Sequence, residues 1–313
     1  MGIDIGFIGL GVMGAPMATH LARAGHRLTL LDAQEGVARD LAARLGAPAQ
    51  AVRTPREVAQ HSDVIITMLP NGQVVQQVVL GEEGVLHGLR PGALLLDTSS
   101  CEPWLTEQTA RALAGRGATM VDAPVSGAAW GAQDAKLVFM VGGADADVAR
   151  VRPLLDVMGR AVFHLGGLGC GHAMKCINNC ITAITLANTA EGLVAGKRYG
   201  LDPKVMVDVL NESTGGSWIT QTHFNQRVFN RAFDDPFKLE LMLKDVGIAV
   251  ELARETASAV PIWGLGQQLW RMADRAAGPG ASVSELVRWV ENQSGTELTP
   301  GAEPRQAARG GAA

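Results

Sequence analysis

Residues 169–200, GCGHAMKCINNCITAITLANTAEGLVAGKRYG, decide how the chain is organised. The stretch opens with a Gly-rich turn, contains no proline, and repeats apolar residues at helical spacing between Met174 and Val194. At about 1.5 Å per residue such a helix is roughly 40 Å long, which exceeds one face of a compact layer. The pattern before it alternates strands and helices, and the pattern after it is helical. We therefore predict a long helix that joins two domains.

Two polar side chains near the start of this helix suggest chemistry. Lys175 and Asn179 are four positions apart, so on a helix they share one face and can address one point. Taken alone, Lys175 is better explained as a solvated lysine near the N-terminus of a helix. The predicted domain boundaries are 1–166 for the strand–helix domain, 167–298 for a helical domain that includes the long helix, and 299–313 for a disordered Gly/Ala-rich tail.

The composition argues against several classes of partner. The 313 residues carry 27 Lys and Arg against 31 Asp and Glu, a formal net charge of −4, without a basic run. Nucleic acid and anionic membrane surfaces are therefore not expected as partners. No apolar run of about 18 residues predicts a membrane span, and no signal peptide is evident. The four cysteines form no CxxC pair and the seven histidines lack ligand spacing, so we expect a cytoplasmic protein without a metal.

The N-terminus has the pattern of a dinucleotide-binding unit. An apolar strand at 3–8 runs into a G-x-G-x-x-G loop, which a helix and a second strand at 27–31 follow. In such a loop the first glycine permits the tight turn, the second lets the backbone approach a pyrophosphate, and the third lets helix and strand pack closely. The predicted cofactor loop consists of Gly9, Leu10, Gly11, Val12, Met13 and Gly14.

Asp32, at the end of the second strand, indicates which dinucleotide is bound. It follows the loop at the spacing of the carboxylate that accepts hydrogen bonds from the adenosine ribose hydroxyls. A 2′-phosphate would meet like charge there, and residues 33–35 offer no Arg or Lys to neutralise it. The sequence therefore predicts NAD, rather than NADP, as the cofactor.

Further apolar strands at 64–68, 93–96 and 119–121 each end in a polar or Gly-rich loop. Because ligands of open parallel sheets sit beyond the carboxyl ends of the strands, we expect these loops to form one rim. Ser126 and Gly127 combine a hydroxyl with a flexible backbone N–H, which suits a substrate carboxylate. Strands are also predicted at 137–141 and 161–165, with a helix at 146–158 between them.

The C-terminal half is predicted to be all-helical. Helices are expected at 202–211, 217–229, 239–255, 263–276 and 283–291. Their apolar positions, among them Leu265 and Met272, exceed what a small helical domain can cover. We therefore expect a homodimer or homotetramer that assembles through this domain.

Four motifs occur in the order typical of one family, the β-hydroxyacid dehydrogenases. GFIGLGVMG at 6–14 resembles the family's cofactor loop, and DAPVSG at 122–127 its substrate-binding signature. GCGHAMKCINN at 169–179 resembles the G-x-G-x-x-x-K-x-x-x-N motif, and KDVGIA at 244–249 the KDL motif. The chain thus resembles 3-hydroxyisobutyrate dehydrogenase and tartronate semialdehyde reductase over about residues 3–291. The implied fold is a Rossmann-type α/β domain followed by an all-α domain, as in 6-phosphogluconate dehydrogenase.

The resemblance implies a role for each matching residue. Lys175 would transfer the proton, and Asn179 would bind the substrate hydroxyl. Ser126 and Gly127 would hold the substrate carboxylate, and Lys244 would approach both substrate and nicotinamide. Leu69, Ser99 and Ser100 would contact the cofactor. The implied reaction is NAD-dependent oxidation of a small 3-hydroxy acid, such as 3-hydroxyisobutyrate, serine or threonine.

Several alternatives stay open at this point. The enzyme could work in reverse, as a reductase of tartronate semialdehyde or a related aldehyde acid. An imine reductase, a non-catalytic dinucleotide-binding module and a metal-dependent enzyme are rivals from other classes. The chain departs from the family pattern at three positions. Cys101 stands where an isoleucine is common, and the departure at Ala128 lies against the carboxylate cradle. Ala128 replaces the second glycine of PVSGG, and Ala135 replaces the glycine of a downstream G-T-L.

Overall fold

The computed structural model describes residues 2–302. The chain divides into two compact units, Met1–Lys175 and Cys176–Ala313. Within the described residues, none of the helices combines the length and the apolar character that crossing a membrane requires.

The first unit alternates strands and helices along most of its length. Its strands are β1 (Asp4–Ile8), β2 (Arg27–Leu31), β3 (Ala49–Ala51), β4 (Val64–Thr67), β5 (Leu94–Asp97), β6 (Thr119–Asp122), β7 (Val125–Ser126), β8 (Leu137–Val141) and β9 (Gly159–His164). Its helices are α1 (Gly14–Arg23), α2 (Glu35–Leu45), α3 (Pro55–Gln60), α4 (Gly72–Leu80), α5 (Pro103–Ala114), α6 (Ala128–Gln133) and α7 (Asp145–Met158).

Six of these strands form one parallel sheet in the order β3-β2-β1-β4-β5-β6. Every residue of β4 and β5 is buried, as expected for strands that helices cover on both faces. The order reverses between β1 and β4, and the carboxyl ends of β4, β5 and β6 are adjacent. The predicted Rossmann-type parallel sheet is therefore confirmed.

The strands predicted at 137–141 and 161–165 exist, but they belong to a second sheet. β8 pairs in parallel with β9 and antiparallel with the two-residue β7. The backbone leaves the large sheet after Asp122, which bridges to Gly142 of the smaller one. An apolar run indicates a buried strand but does not indicate its partner, so sequence could not separate the two sheets.

The second unit is helical, as predicted. The long helix α8 (Cys170–Tyr199) begins in the first unit, and its remainder lies in the second. It is followed by α9 (Pro203–Asn211), the π-helical segment Ile219–Val228, α10 (Leu239–Glu255), α11 (Pro261–Ala277) and α12 (Glu285–Ser294). In the π-helical segment the carbonyl of Phe224 accepts from the N–H five residues on. A period of apolar residues does not distinguish this pattern from an α-helix.

In the helical unit, α11 contacts α8 through a buried tryptophan. Trp270 is fully buried, and its indole N–H donates to the carbonyl oxygen of Ala183 at 3.3 Å. Leu239 and Val246 are also fully buried, whereas Leu265 and Met272 are 71% and 56% exposed. Only part of the predicted apolar surface is therefore covered within the described chain.

The predicted disordered tail is only partly within the described residues. The buried ammonium of Lys197 donates to the carbonyl oxygen of Thr299 at 2.7 Å and to its hydroxyl at 3.1 Å. Residues 299–302 are thus described, and the first of them is bound to α8. The rest of the predicted tail, 303–313, lies outside the described residues.

Acidification is expected to destabilise the helical unit through His223. Burial lowers the pKa of this imidazole, the Asp235 carboxylate partly opposes the shift, and Arg227 contributes a smaller lowering. A lowered folded-state pKa means that the unfolded chain binds more protons below about pH 6.5, so stability falls as the pH falls through this range. In urea unfolding, His223→Gln should lose less stability than the parent between about pH 7 and about pH 5.5. The exposed His61→Gln is the matched control, and equal pH slopes for all three proteins would contradict the assignment.

Candidate active site

The Gly-rich loop after β1 offers a surface for a phosphate group. Gly9 has φ +95°, and a Cβ at this position would collide with the Met68 carbonyl. A Cβ at Gly14 would collide with the Gly9 carbonyl, whereas at Gly11 there is no atom within 4 Å. Helix α1 starts directly behind the loop and carries no acidic residue in its first turn. The close packing at the outer two glycines and the open space over Gly11 fit a bound pyrophosphate.

Asp32 lies at the end of β2, next to this loop. Its Oδ2 accepts from the N–H of Leu10 at 2.8 Å, and its Oδ1 accepts from the N–H of Gln34 at 2.9 Å. The carboxylate is therefore fixed by the backbone on both sides. Its position beside the loop fits a ribose hydroxyl as ligand. The described ion pairs bring two cations near Glu35, Arg39 at 3.7 Å and Arg53 at 3.9 Å.

Hydrogen bonds connect the carboxyl ends of β4 and β5. The hydroxyl of Thr67 donates to Asp97 Oδ1 at 2.8 Å, and the same oxygen accepts from the N–H of Ser99 at 3.1 Å. The N–H of Leu69 donates to the hydroxyl of Ser99 at 2.9 Å. Two of the predicted cofactor-binding residues, Leu69 and Ser99, are thus brought into contact, with Ser100 next in the chain.

Asp122 connects two motifs that the sequence presents as separate. Its Oδ1 accepts from the N–H of Gly169 at 2.7 Å, and its Oδ2 accepts from the N–H of His172 at 2.8 Å. The aspartate of DAPVSG therefore caps the helix that begins in GCGH. A Cβ at Gly171 would lie 2.8 Å from Asp122 Oδ2, which explains the second glycine of that motif. Burial raises the pKa of the Asp122 carboxyl, and His172 and the two N–H donors oppose this shift.

His172 lies at the centre of these contacts. Its side chain is fully buried, with Nδ1 2.7 Å from the Thr106 hydroxyl and Nε2 3.1 Å from the Ser99 carbonyl oxygen. This histidine is one of the seven whose spacing in the sequence does not indicate a site. The motif GxGH marks its position, but its partners are 66 and 73 residues away in the chain.

Three side chains of this region approach one another as metal ligands would. Asp97, Cys101 and His172 each present one donor atom, and these atoms lie within 4.8 Å of one another. The described hydrogen bonds already engage Asp97 and both ring nitrogens of His172. The Cys101 thiol donates to Asp97 Oδ2 at 3.3 Å. The absence of a functional metal stays a prediction.

Lys175 follows His172 by about one turn of α8. Its side chain is buried, with 9% exposure, and Asn179 on the same helix is 6% exposed. A solvated lysine near a helix end would be much more exposed, so burial argues against that explanation of Lys175. The shared face predicted from the i, i+4 spacing is consistent with this common burial.

In the second unit, Asp245 holds Asn179. The Asn179 amide nitrogen donates to Asp245 Oδ2 at 2.6 Å, and the Asn178 amide donates to the Asn179 oxygen at 3.1 Å. Asp245 is 1% exposed, and its Oδ1 lies 3.2 Å from the ammonium of Lys244. That oxygen accepts no hydrogen bond of good geometry within the described chain. Lys244 and Asn179 are predicted from the sequence as site residues, whereas Asp245 is not.

The proposed carboxylate cradle has an unusual backbone. Ser126 ends β7, and Gly127 has φ +132° before α6. Ala128 and Ala135 have φ values of +52° and +54°. Both of these departures from the family pattern thus place alanine where the backbone is left-handed and favours glycine.

Glycine is expected to stabilise the protein at both of these positions. Ala128→Gly and Ala135→Gly each remove the strain of an alanine held in the left-handed backbone region. The greater conformational freedom of glycine in the unfolded chain offsets part of the gain in stability. The free energy of unfolding, measured in urea, should increase by about 0.5–1 kcal/mol per site. The matched control is Ala129→Gly in α6, whose free energy of unfolding should decrease by about 0.5–1 kcal/mol. A loss at 128 and 135 as large as at 129 would contradict this account.

Two family models cover most of the chain. Residues 4–166 match the model described as the NAD binding domain of 6-phosphogluconate dehydrogenase. Residues 169–290 match the model described as NAD-binding of NADP-dependent 3-hydroxyisobutyrate dehydrogenase. The two matched segments meet at the start of α8.

Curated proteins and a solved structure are similar over nearly the full length. The NAD-dependent L-serine dehydrogenase of Pseudomonas aeruginosa is 38% identical over 86% of this chain and 91% of that protein. The 2-(hydroxymethyl)glutarate dehydrogenase of Eubacterium barkeri is 35% identical over 96% of this chain and 98% of that protein. The structure of Mycobacterium tuberculosis 3-hydroxyisobutyrate dehydrogenase with L-serine has a TM-score of 0.84 at 31% identity, covering 93% of this chain and 99% of that one. The chain therefore belongs to the β-hydroxyacid dehydrogenase family, whose members are oxidoreductases that use nicotinamide dinucleotides, and its own cofactor is NAD.

Proposed function

We propose that this enzyme oxidises the hydroxyl group of a small 3-hydroxy acid, with Lys175 as the proton acceptor. The observation that carries the proposal is the burial of Lys175 in the first turns of a helix whose start is bound to Asp122. A buried amine is easier to deprotonate than a solvated one, because burial disfavours the charged form.

In the proposed mechanism, Ser126 and Gly127 bind the substrate carboxylate and thereby orient its hydroxyl. Lys175, neutral when the reaction starts, accepts the hydroxyl proton, and in the reverse direction its ammonium returns that proton. Asn179 retains one N–H that can donate to the hydroxyl oxygen. Bound NAD⁺ supplies the acceptor for the hydride. Lys244 is proposed to contact substrate and cofactor.

The names of the relatives suggest the substrate class. L-Serine, 2-(hydroxymethyl)glutarate and 3-hydroxyisobutyrate are all 3-hydroxypropanoates that differ in the substituent on C2. We infer that this enzyme acts on a 2-substituted 3-hydroxypropanoate or a close analogue such as threonine. Reduction of tartronate semialdehyde is the second candidate, because the same residues would catalyse the reverse reaction.

A panel of hydroxy acids tests this proposal. Both enantiomers of serine, threonine, 3-hydroxyisobutyrate and glycerate are assayed with NAD⁺ and with NADP⁺, and tartronate semialdehyde with NADH. We expect turnover of at least one 3-hydroxy acid with NAD⁺. Lactate, a 2-hydroxy acid without a 3-hydroxyl, is the matched negative control. Activity confined to cyclic imines with NADPH would contradict the proposal and indicate an imine reductase.

Replacement of Asp32 by alanine is expected to weaken NAD binding by about 10–100-fold, since a hydrogen bond to a charged group contributes about 1.5–3 kcal/mol. The affinity for NADP should fall less, because the like charge near the 2′-phosphate is removed. Dissociation constants measured by cofactor fluorescence for both dinucleotides check this result. Asp40→Ala, an exposed position on α2, is the control. An unchanged ratio of the two affinities would contradict the role of Asp32.

We also propose self-association through the helical unit. Leu265 and Met272 on α11 are exposed apolar residues, and Ile262 lies one turn before Leu265. Such a stripe is typical of helix faces that pack against another subunit. Light scattering after size exclusion should give a mass of two or four chains.

A further inference from the structure

We propose that His172 is a positioning residue for Lys175. The histidine would hold the first turn of α8 in register with the loop that follows β5, and so place the lysine amine for proton transfer. The inference rests on the proposed function of Lys175, and it names the residue that fixes its position.

The imidazole of His172 has no freedom to rotate. Nε2 lies 3.1 Å from the carbonyl oxygen of Ser99, which can only accept, so Nε2 carries a proton. Nδ1 lies 2.7 Å from the hydroxyl of Thr106, which can donate or accept. Both ring nitrogens are thus engaged, and the side chain has no exposed surface. The ring therefore links the end of β5 to helix α5.

The main chain of the same residue is held by a third element. The His172 N–H donates to Asp122 Oδ2 at 2.8 Å, and the neighbouring Gly169 N–H donates to Oδ1 at 2.7 Å. The first turn of α8 is consequently attached to the end of β6 through its backbone. Its side-chain attachment to β5 and α5 is made by His172 alone among the described hydrogen bonds of residues 169–172.

Lys175 is three residues further along the same helix. A helix turns by about 100° and rises about 1.5 Å per residue, so any rotation or shift of the first turn moves the Lys175 side chain with it. Proton transfer requires a donor–acceptor separation of about 2.6–3.2 Å. A misplacement of about 1 Å is enough to lower a rate by roughly 10²-fold.

The surroundings of the ring make it difficult to replace. Asp97 Oδ2 lies 3.7 Å from Nε2, and Asp122 Oδ2 lies 3.8 Å from Nδ1. Both carboxyl groups are fully buried. An apolar ring at position 172 would leave two buried carboxyl groups and the Ser99 carbonyl facing hydrocarbon. A glutamine can still donate one N–H to that carbonyl.

The test is a double-mutant cycle with Lys175, measured as single-turnover rates on saturated, full-length enzyme. We expect His172→Phe to lower the rate by about 100-fold. Lys175→Ala and the double variant Lys175→Ala/His172→Phe should have the same rate within about 3-fold, because a positioning residue has no effect once its target is gone. His172→Gln should regain at least about 10-fold over His172→Phe. Thr106→Val, which removes only the hydroxyl, should lose about 3–10-fold.

The outcomes separate this inference from the function on which it rests. If the rate loss of the double variant equals the product of the two single losses, His172 does not act by positioning Lys175, and the inference is overturned. The same holds if folded His172→Phe, His172→Gln and Thr106→Val all retain the parental rate and only their melting temperatures fall. If His172→Phe does not fold, the cycle is run with His172→Gln and Thr106→Val. A parental rate for Lys175→Ala alone would instead refute the proposed function. His61→Phe, at an exposed position, controls for the exchange of histidine for phenylalanine.

Discussion

Replacing Lys175 by alanine is expected to lower kcat by about 10²–10⁴-fold, the range typical of a lost general acid–base group. The side chain is buried on α8, and no water-exposed lysine elsewhere is expected to take over proton transfer. The dissociation constant of NAD should change by less than about 3-fold, because the proposed cofactor loop lies at 9–14 and not on this helix. Steady-state kinetics with the best 3-hydroxy acid of the panel, together with cofactor fluorescence, measure both quantities.

Two further variants make this result specific. Lys175→Met keeps the length of the side chain but removes the amine, so it should be as impaired as Lys175→Ala. Lys136→Ala removes an ammonium that is 58% exposed, and it should keep the parental kcat. Full activity of the methionine variant would show that the amine does not take part in the reaction.

Replacement of Asp122 by alanine is expected to lower the free energy of unfolding by about 2–4 kcal/mol. Its carboxylate is fully buried and accepts from the N–H groups of Gly169 and His172, which alanine would leave without this acceptor. Urea unfolding at constant pH measures the difference. The exposed Asp156→Ala should lose less than about 0.5 kcal/mol, because its partner Arg152 is also exposed.

The pH dependence provides a second check on Asp122. Burial raises the pKa of this carboxyl above its usual range, so the folded state holds the proton more tightly than the unfolded state. The contribution of Asp122 to the free energy of unfolding is therefore greatest below its pKa in the unfolded chain, about 3.9. It decreases as the pH rises through the pKa of Asp122 in the folded state. The loss caused by Asp122→Ala should accordingly be larger in mildly acidic buffer than at neutral pH. A loss that grows with rising pH would contradict the burial effect.

Much of the fold is predictable because its signals are local. The strand, Gly-rich loop, helix and Asp32 of the first β-α-β unit lie within about 30 residues, as this unit requires. The long helix is delimited by Gly169 and Gly200, which have φ values of +89° and +110°. The second sheet could not be predicted, because its β7 has two residues and its identity depends on pairing rather than on periodicity.

The site residues likewise fall into those with a local signal in the sequence and those without one. Lys175 and Asn179 are evident from a spacing of four residues, which a helix converts directly into proximity. Asp122, His172 and Asp245 act through partners that are 47 to 73 residues away in the chain. Their side chains have no periodic signature, and only the fold reveals which polar groups they satisfy.

The contacts of Asn179 have a consequence for ligand affinity. The Asn179 amide nitrogen donates to Asp245 Oδ2, and its oxygen accepts from the Asn178 amide, so both ends of the amide have a fixed partner. A free asparagine must select one rotamer and one of two amide orientations when a ligand binds, and ordering a side chain in this way costs about 0.5–1.5 kcal/mol. Here that entropy is lost when the helical unit folds. In the proposed role of Asn179 as a ligand of the substrate hydroxyl, its second N–H is therefore oriented before substrate binds, which corresponds to roughly 2–10-fold in affinity.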